Sequence, residues 1–250
     1  MPIAALWRLP HTARMDKPGL RAEGRAVPLR LSGPGEWNDG TTAFAFAPER
    51  RFQLLALLAL RAGAWVGRDE AASLLWPQRS MSEARRNLRH VVFKAREAIG
   101  GDALDTDERA LRWRVATDVQ QFHLALATRR LVDAVALRGG PLLEGLESAA
   151  STDFAQWVQR ERSRLDGLWH AAAVEELARL ASEPVERAAL AAQMLAIDPC
   201  DEAACAAQIE IELATGNQPG AERHYREFAA RLAEQHGVEP SHRLRDLLRP

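Results

Sequence analysis

The stretch Ser80–Ile99, SMSEARRNLRHVVFKAREAI, constrains the fold more than any other part of the chain. Ala84, Leu88, Val91, Val92, Ala95 and Ile99 recur at helical spacing and define one buried face. Ser80 with Glu83 three residues on is a capping-box start, and Gly100-Gly101 supplies a stop. The rest of the surface is cationic. Residues 79–96 carry Arg79, Arg85, Arg86, Arg89, Lys94 and Arg96 against one carboxylate, Glu83. Arg86, His90 and Phe93 lie opposite the apolar face, with Arg89 and Lys94 flanking them. A helix that buries one side and offers arginines on the other suits a DNA major groove. A solvated basic face has the same pattern, so the neighbouring segments must decide.

Before this helix, VPLRLSG and TTAFAF alternate over Val27–Phe46 and are separated by Gly33-Pro34-Gly35 and Asn38-Asp39-Gly40, the signal of a small antiparallel sheet of about three strands. Helical period returns at Pro48–Ala62, where Phe52, Leu55, Ala56, Leu58, Ala59 and Leu60 leave little polar surface and imply a central position. Pro48 suits the first helical position and Gly63 the end. A short link through Val66 leads to a second helix, Arg68–Trp76, ended by Pro77. After the basic helix, ALDTD and ALRWRV flank Glu108-Arg109 and read as a β-hairpin. Sheet, three helices and hairpin make a winged helix-turn-helix, whose third helix enters the major groove. The competing reading is a plain three-helix domain with a decorated hairpin.

Charge divides the chain in the same place. Residues 1–115 hold 19 Lys+Arg and 13 Asp+Glu, a net of +6, while residues 116–250 hold 14 and 21, a net of −7, which together give the −1 of the whole. Two modules with different partners explain this better than one uniform domain, and nucleic acid is the natural partner of the basic half. The bias to Leu and Ala, with one Tyr and seven Phe, favours helices. From Thr117 the reading is almost entirely helical. Asp118 is placed to cap a helix through Val119, Phe122, Leu124 and Leu126. Gly139-Gly140-Pro141 and Gly145 mark a loop. Asp153 caps a long helix to about Ala181, with Phe154, Trp157, Val158, Leu165, Leu168, Trp169, Ala172, Leu177 and Leu180 inside. Further helices run from Pro184 to Asp198-Pro199, from Cys200 or Asp201 to Gly216, from Pro219 to Gln235, and around Leu244, Leu247 and Leu248. The pair Asp201–Gln235, with Gly216, Ala221, Tyr225 and Phe228 at packing positions, fits a tetratricopeptide-like stack. An irregular bundle fits as well.

The expected fold class is therefore mainly α. Residues 1–26, which mix Pro, Arg and Gly without period, form a poorly ordered leader. Residues 27–116 form the winged helix and residues 117–250 an all-α, tetratricopeptide-like domain. Cys200 and Cys205 are five apart, and no CxxC or Cys/His cluster exists, which argues against a zinc site and for a reducing cytoplasm. No apolar run reaches the roughly 20 residues of a membrane span, and no signal peptide is visible. No Gly-rich phosphate loop, metal-ligand spacing or G-x-S-x-G elbow is present, so neither an enzyme nor a cofactor is expected.

Several separated motifs carry a resemblance over roughly residues 27–248. LLALLALRAGAWVGRDEAASLLWP followed by EARRNLRHVVFKAREAIG resembles the winged-helix domain of the antibiotic-regulatory-protein (SARP) family of bacterial activators. GGPLLEGL, FAQWVQRERSRL, LAIDPCDEAACAAQIEIELATGN and LAEQHGVEPS look like the bacterial transcriptional activation domain that accompanies it. The resemblance implies an OmpR-type DNA-binding domain, a tetratricopeptide-like helical domain, dimeric binding to direct repeats on double-stranded DNA, and recruitment of RNA polymerase. It does not extend to the ATPase module of larger relatives, since G-x-x-x-x-G-K-[ST] is absent. In Phe93 the chain departs from the more aliphatic stretch usual there.

The site residues expected to read bases are Arg86, Arg89, His90 and Lys94, with Arg86 or Arg89 able to pair bidentately with guanine. Arg68, Arg79, Arg85, Arg96, Arg109, Arg112 and Arg114 are the phosphate candidates. Arg85 and Arg96, nearer the buried edge, either reach phosphate or pack through their stems. A protein-interaction scaffold with little DNA affinity is the alternative function. Deletion of residues 117–250 is expected to leave weak DNA binding without activation.

Overall fold

The computed structural model describes residues 27–100 and 103–249. The proposed leader, residues 1–26, lies outside the described residues, as does Gly101. The first antiparallel sheet comprises β1 (Leu29–Arg30), β2 (Glu36–Asn38) and β3 (Ala43–Ala45), with Leu29 opposite Trp37 and Trp37 opposite Phe44. It is followed by α1 (Arg50–Leu60), β4 (Val66–Gly67), α2 (Arg68–Leu75), α3 (Met81–Ile99), β5 (Leu104–Thr106) and β6 (Ala110–Trp113). The second sheet has the order β4-β6-β5, with Val66 opposite Leu111 and Leu104 opposite Trp113. Two corrections arise here. The link through Val66 is a strand that completes the hairpin sheet, too short to show as alternation. α1 starts at Arg50 because Glu49, in extended backbone, is its N-cap, which leaves Pro48 one residue outside the helix.

α1 is central, as its apolar sequence implied. Every residue from Phe52 to Ala59 is buried. The one polar residue among them, Gln53, is satisfied by donating to the Leu146 carbonyl at 3.3 Å and accepting from Arg50 Nη1 at 2.6 Å. The Phe46 ring stacks on those of Phe44 and Phe52, which are tilted 42° to each other, and Trp37 meets Trp113 at 5.5 Å between centroids, joining the two sheets.

The second half comprises α4 (Asp118–Ala127), α5 (Leu131–Ala136), α6 (Thr152–Arg179), α7 (Pro184–Ile197), α8 (Glu202–Ala214), α9 (Gln218–His236) and α10 (His242–Asp246), with a single 3-10 turn after α6. The short α5 was hidden in the sequence. The caps also differ from expectation. Thr117, not Asp118, caps α4, and Ser151, not Asp153, caps α6; each hydroxyl accepts an amide of the first turn. Ser151 also donates to the Leu74 carbonyl at 2.7 Å, so this cap ties α6 to α2. Cys200 lies in the turn before the α8 cap, Asp201, rather than on a helix, and both cysteines are free. α8 and α9 form the expected pair, with Ala221 and Phe228 fully buried and Tyr225 packed at the edge of the same cluster.

The core does not stop at residue 116. The cluster built on α1 and α3 also contains Val119, Leu142, Leu143, Leu146, Phe154 and Val158. Backbone pairing reinforces the junction: the Leu31 and Gly33 carbonyls accept from Leu143 and Glu144, and Gly33 donates to Pro141. Gly139 and Gly140 permit this close approach. A Cβ on Gly139 would meet the Ser32 carbonyl at 3.2 Å, and one on Gly140 the Gly33 Cα at 3.3 Å. Asp118, freed from capping, buries its carboxylate against the amides of Leu31 at 2.8 Å and Ser32 at 2.9 Å. Burial pushes its pKa up, against the opposing pull of those hydrogen bonds. Arg162 fixes the far side of the loop, donating to the carbonyls of Leu142 and Leu143 and to both oxygens of Glu147.

Candidate nucleic-acid interface

α3 forms as its sequence requires. The Ser80 hydroxyl accepts the Glu83 amide, and the Glu83 carboxylate takes the Ser80 amide at 3.2 Å, closing the capping box. Hydrogen bonds from Ser80 hold the Glu83 carboxyl below its ordinary pKa. Ala84, Leu88, Val91, Val92, Ala95 and Ile99 are all buried, so the inner face was read correctly. Arg86, Arg89, His90, Phe93 and Lys94 are exposed on the other side.

The expected site residues fall into two groups according to what already holds them. Among the described residues, the side chains of Arg79, Arg86, Arg89, His90 and Arg109 are exposed and make no hydrogen bond or ion pair. Lys94 makes only a surface pair with Glu97 at 3.4 Å, which holds it weakly. The others are engaged inside the domain. Arg85 forms a two-pronged pair with Asp69, both contacts at 2.6 Å, which lowers the Asp69 pKa and raises that of Arg85. Arg96 reaches from α3 to the hairpin, donating to the Leu104 carbonyl and to Thr106 Oγ1 at 2.7 Å. Arg68 donates to the Asp107 carbonyl at 2.9 Å. Arg114 and Arg112 share the Asp105 carboxylate and depress its pKa, while Arg112 also lies over the Trp65 ring at 4.2 Å.

Sequence reasoning missed the residues that arrange these arginines. They are Asp69, Asp105 and Trp65. Asp105 was within reach, because hairpin register places it opposite Arg112. The Asp69–Arg85 pair spans two helices and leaves no local signal. At the hairpin tip, Asp107 accepts the amides of Arg109 and Ala110 at 2.7 and 2.6 Å, which lowers its pKa and fixes the turn that presents Arg109.

The free cations of α3 thus stand on the third helix of a winged helix-turn-helix whose core runs into an all-α domain. The model of the bacterial transcriptional activator domain matches residues 112–249, more than half of the chain. The chain belongs to the bacterial transcriptional activator domain family. The match covers the end of β6 and the whole helical half, and it bears out the resemblance to SARP-type activators drawn from the motifs. Among solved structures, the chain is similar to Mycobacterium tuberculosis EmbR in complex with a low-affinity phosphopeptide, with a TM-score of 0.68 and 23% identity. That similarity covers 89% of this chain and 64% of the EmbR chain, so this chain spans somewhat less than two thirds of EmbR. It supports the fold, a winged helix followed by an all-α domain. No curated protein matches the sequence. Among the described residues no helix is long and apolar enough to cross a membrane.

Proposed function

We propose that this bacterial transcriptional activator domain protein binds double-stranded DNA sequence-specifically and activates transcription by recruiting RNA polymerase. The observation that carries the reading is the pair of exposed arginines on α3, Arg86 and Arg89, with His90 beside them, none held by a hydrogen bond or an ion pair among the described residues, on a helix whose other face is fully packed. Bidentate hydrogen bonds from Arg86 or Arg89 to guanine would supply base specificity. Arg79, before α3, and Arg109, at the hairpin tip, would contact phosphates on either side. Arg68, Arg85, Arg96, Arg112 and Arg114 serve first to shape the reading head. Those of them that are exposed add to its positive field. The acidic helical half serves dimerisation on DNA and contact with polymerase. The protein acts in the cytoplasm, on the nucleoid, without enzymatic activity or a cofactor.

Selection of bound fragments from bacterial genomic DNA by the purified full chain, read by sequencing, tests this reading. The expected result is a small set of enriched fragments sharing a repeated motif upstream of genes. Enrichment indistinguishable from a no-protein control contradicts it and favours an interaction scaffold.

A further inference from the structure

α3 segregates its side chains almost completely. Its six inward apolar residues are at most 8% exposed, and its polar residues face outward. Besides Met81 at the helix start, 39% exposed, Phe93 breaks the pattern. It is 57% exposed, belongs to no core cluster and makes no ring contact with another aromatic among the described residues. Helix geometry sets it three residues after His90, four after Arg89 and seven after Arg86, so it lies in the middle of their face. A water-exposed ring is unfavourable in the free protein and becomes favourable when something apolar covers it. Its surroundings specify the cover: Arg86, Arg89 and Lys94 lie around it against one exposed carboxylate, Glu97, which pairs with Lys94, so the complementary surface is predominantly anionic around an apolar floor. A major groove has that character, with phosphates along its rims and thymine 5-methyl groups within it. An apolar protein patch would leave Arg86 and Arg89 desolvated and unpaired.

We infer that Phe93 contacts the 5-methyl group of a thymine in the site read by α3, specifying T·A at one position beside the guanines read by arginine. The inference rests on the proposed function and adds a base identity to it.

The test uses the full chain and a duplex enriched by the wild-type protein from a random pool. Each thymine is replaced in turn by deoxyuridine, which removes only the methyl group. One position is expected at which uracil weakens wild-type binding by about fourfold, the worth of one methyl-sized apolar contact. Phe93→Ala should bind the thymine duplex about tenfold more weakly, should not distinguish thymine from uracil at that position, and should keep the wild-type dependence on salt, because an apolar contact releases no counterions. Phe93→Leu, with an apolar side chain retained, should keep part of the discrimination and controls for any loss of fold. If wild type binds the duplex but no thymine-to-uracil change matters, or if Phe93→Ala discriminates as wild type does, the inference fails while the DNA-binding reading stands. If wild type binds no duplex at low salt, both fail.

Discussion

α3 and α6 are both long amphipathic helices, yet only α3 could be read from its spacing. All six residues assigned to the inner face of α3 are buried. Of the residues assigned to the inside of α6, Phe154, Val158, Trp169, Ala172 and Leu177 are buried, Trp157, Leu165 and Leu180 are partly so, and Leu168 is 37% exposed. The reason is where each helix packs. α3 serves one core and keeps one stripe along its length. α6 serves two: Phe154 and Val158 belong to the cluster built on α1 and α3, whereas Trp169, Ala172, Ala173 and Leu177 belong to the cluster shared by α4, α5, α7 and α8. The buried stripe changes sides along the helix, and a single-period template blurs it. A clean stripe leaves a whole face of α3 free of packing. α6 spends both ends holding the molecule together.

The comparison is broken most severely by dividing the chain between the two helices. If α6 completes the first core, residues 27–116 alone lack Leu142, Leu143, Leu146, Phe154 and Val158. A large apolar residue lost from a core costs about 2–5 kcal/mol, and several together exceed the roughly 5–15 kcal/mol that holds a domain. Thermal melts of this fragment should show no cooperative transition. The sequence expectation of a weakly DNA-binding fragment is therefore revised. A fragment that melts sharply and binds DNA would restore two independent modules.

Within the full chain, Phe154→Ala should destabilise by about 3–5 kcal/mol in denaturant titration, whereas Leu168→Ala on the same helix should change stability by no more than about 0.5 kcal/mol. Equal effects would mean that α6 has one face after all. Asp118→Asn sharpens the junction further. It keeps the shape but sets an amide NH2 against the Ser32 or Leu31 amide, at an expected cost of about 1–3 kcal/mol.

The smallest effect is a pH dependence at the same junction. Hydrogen bonds from Arg162 hold the Glu147 carboxyl below its ordinary value of 4.5. Its pairing therefore stabilises the fold above the ordinary carboxylate range and is lost as pH falls through the lowered value. Asp118, raised by burial, works in the opposite sense: the fold takes up its proton more readily, so stability falls as pH rises from 3.8 toward its raised pKa. Glu147→Gln should flatten the acid limb of a stability–pH curve, and an unchanged limb would show that other carboxylates set it.

Legibility followed the range of the signal. The capping box of α3, its inner stripe and the hairpin depend on neighbours within a few residues, and all are as read. Asp118 was taken for a cap because it stands beside a helix start; it does take the neighbouring Val119 amide, but its other two partners lie 86 and 87 residues away. The arginines show the same limit: spacing tells which face Arg85 and Arg96 occupy, not that Asp69 and Thr106 already hold them.

The cations of the winged helix that no ion pair or hydrogen bond holds, Arg79, Arg86, Arg89 and Arg109, and not its cations in general, are proposed to make the DNA contact. Binding of an enriched duplex, followed by fluorescence anisotropy between about 50 and 200 mM salt, tests it most directly. For wild type, affinity should fall steeply with salt. Arg109→Ala should reduce the slope of log affinity against log salt by about one, and Arg86→Ala and Arg89→Ala should each relax base preference at one position. Arg112→Ala, which removes a guanidinium already held by Asp105, should leave slope and preference near wild type. A wild-type protein without salt dependence, or an Arg86→Ala, Arg89→Ala double variant that keeps full affinity and preference, would contradict the account.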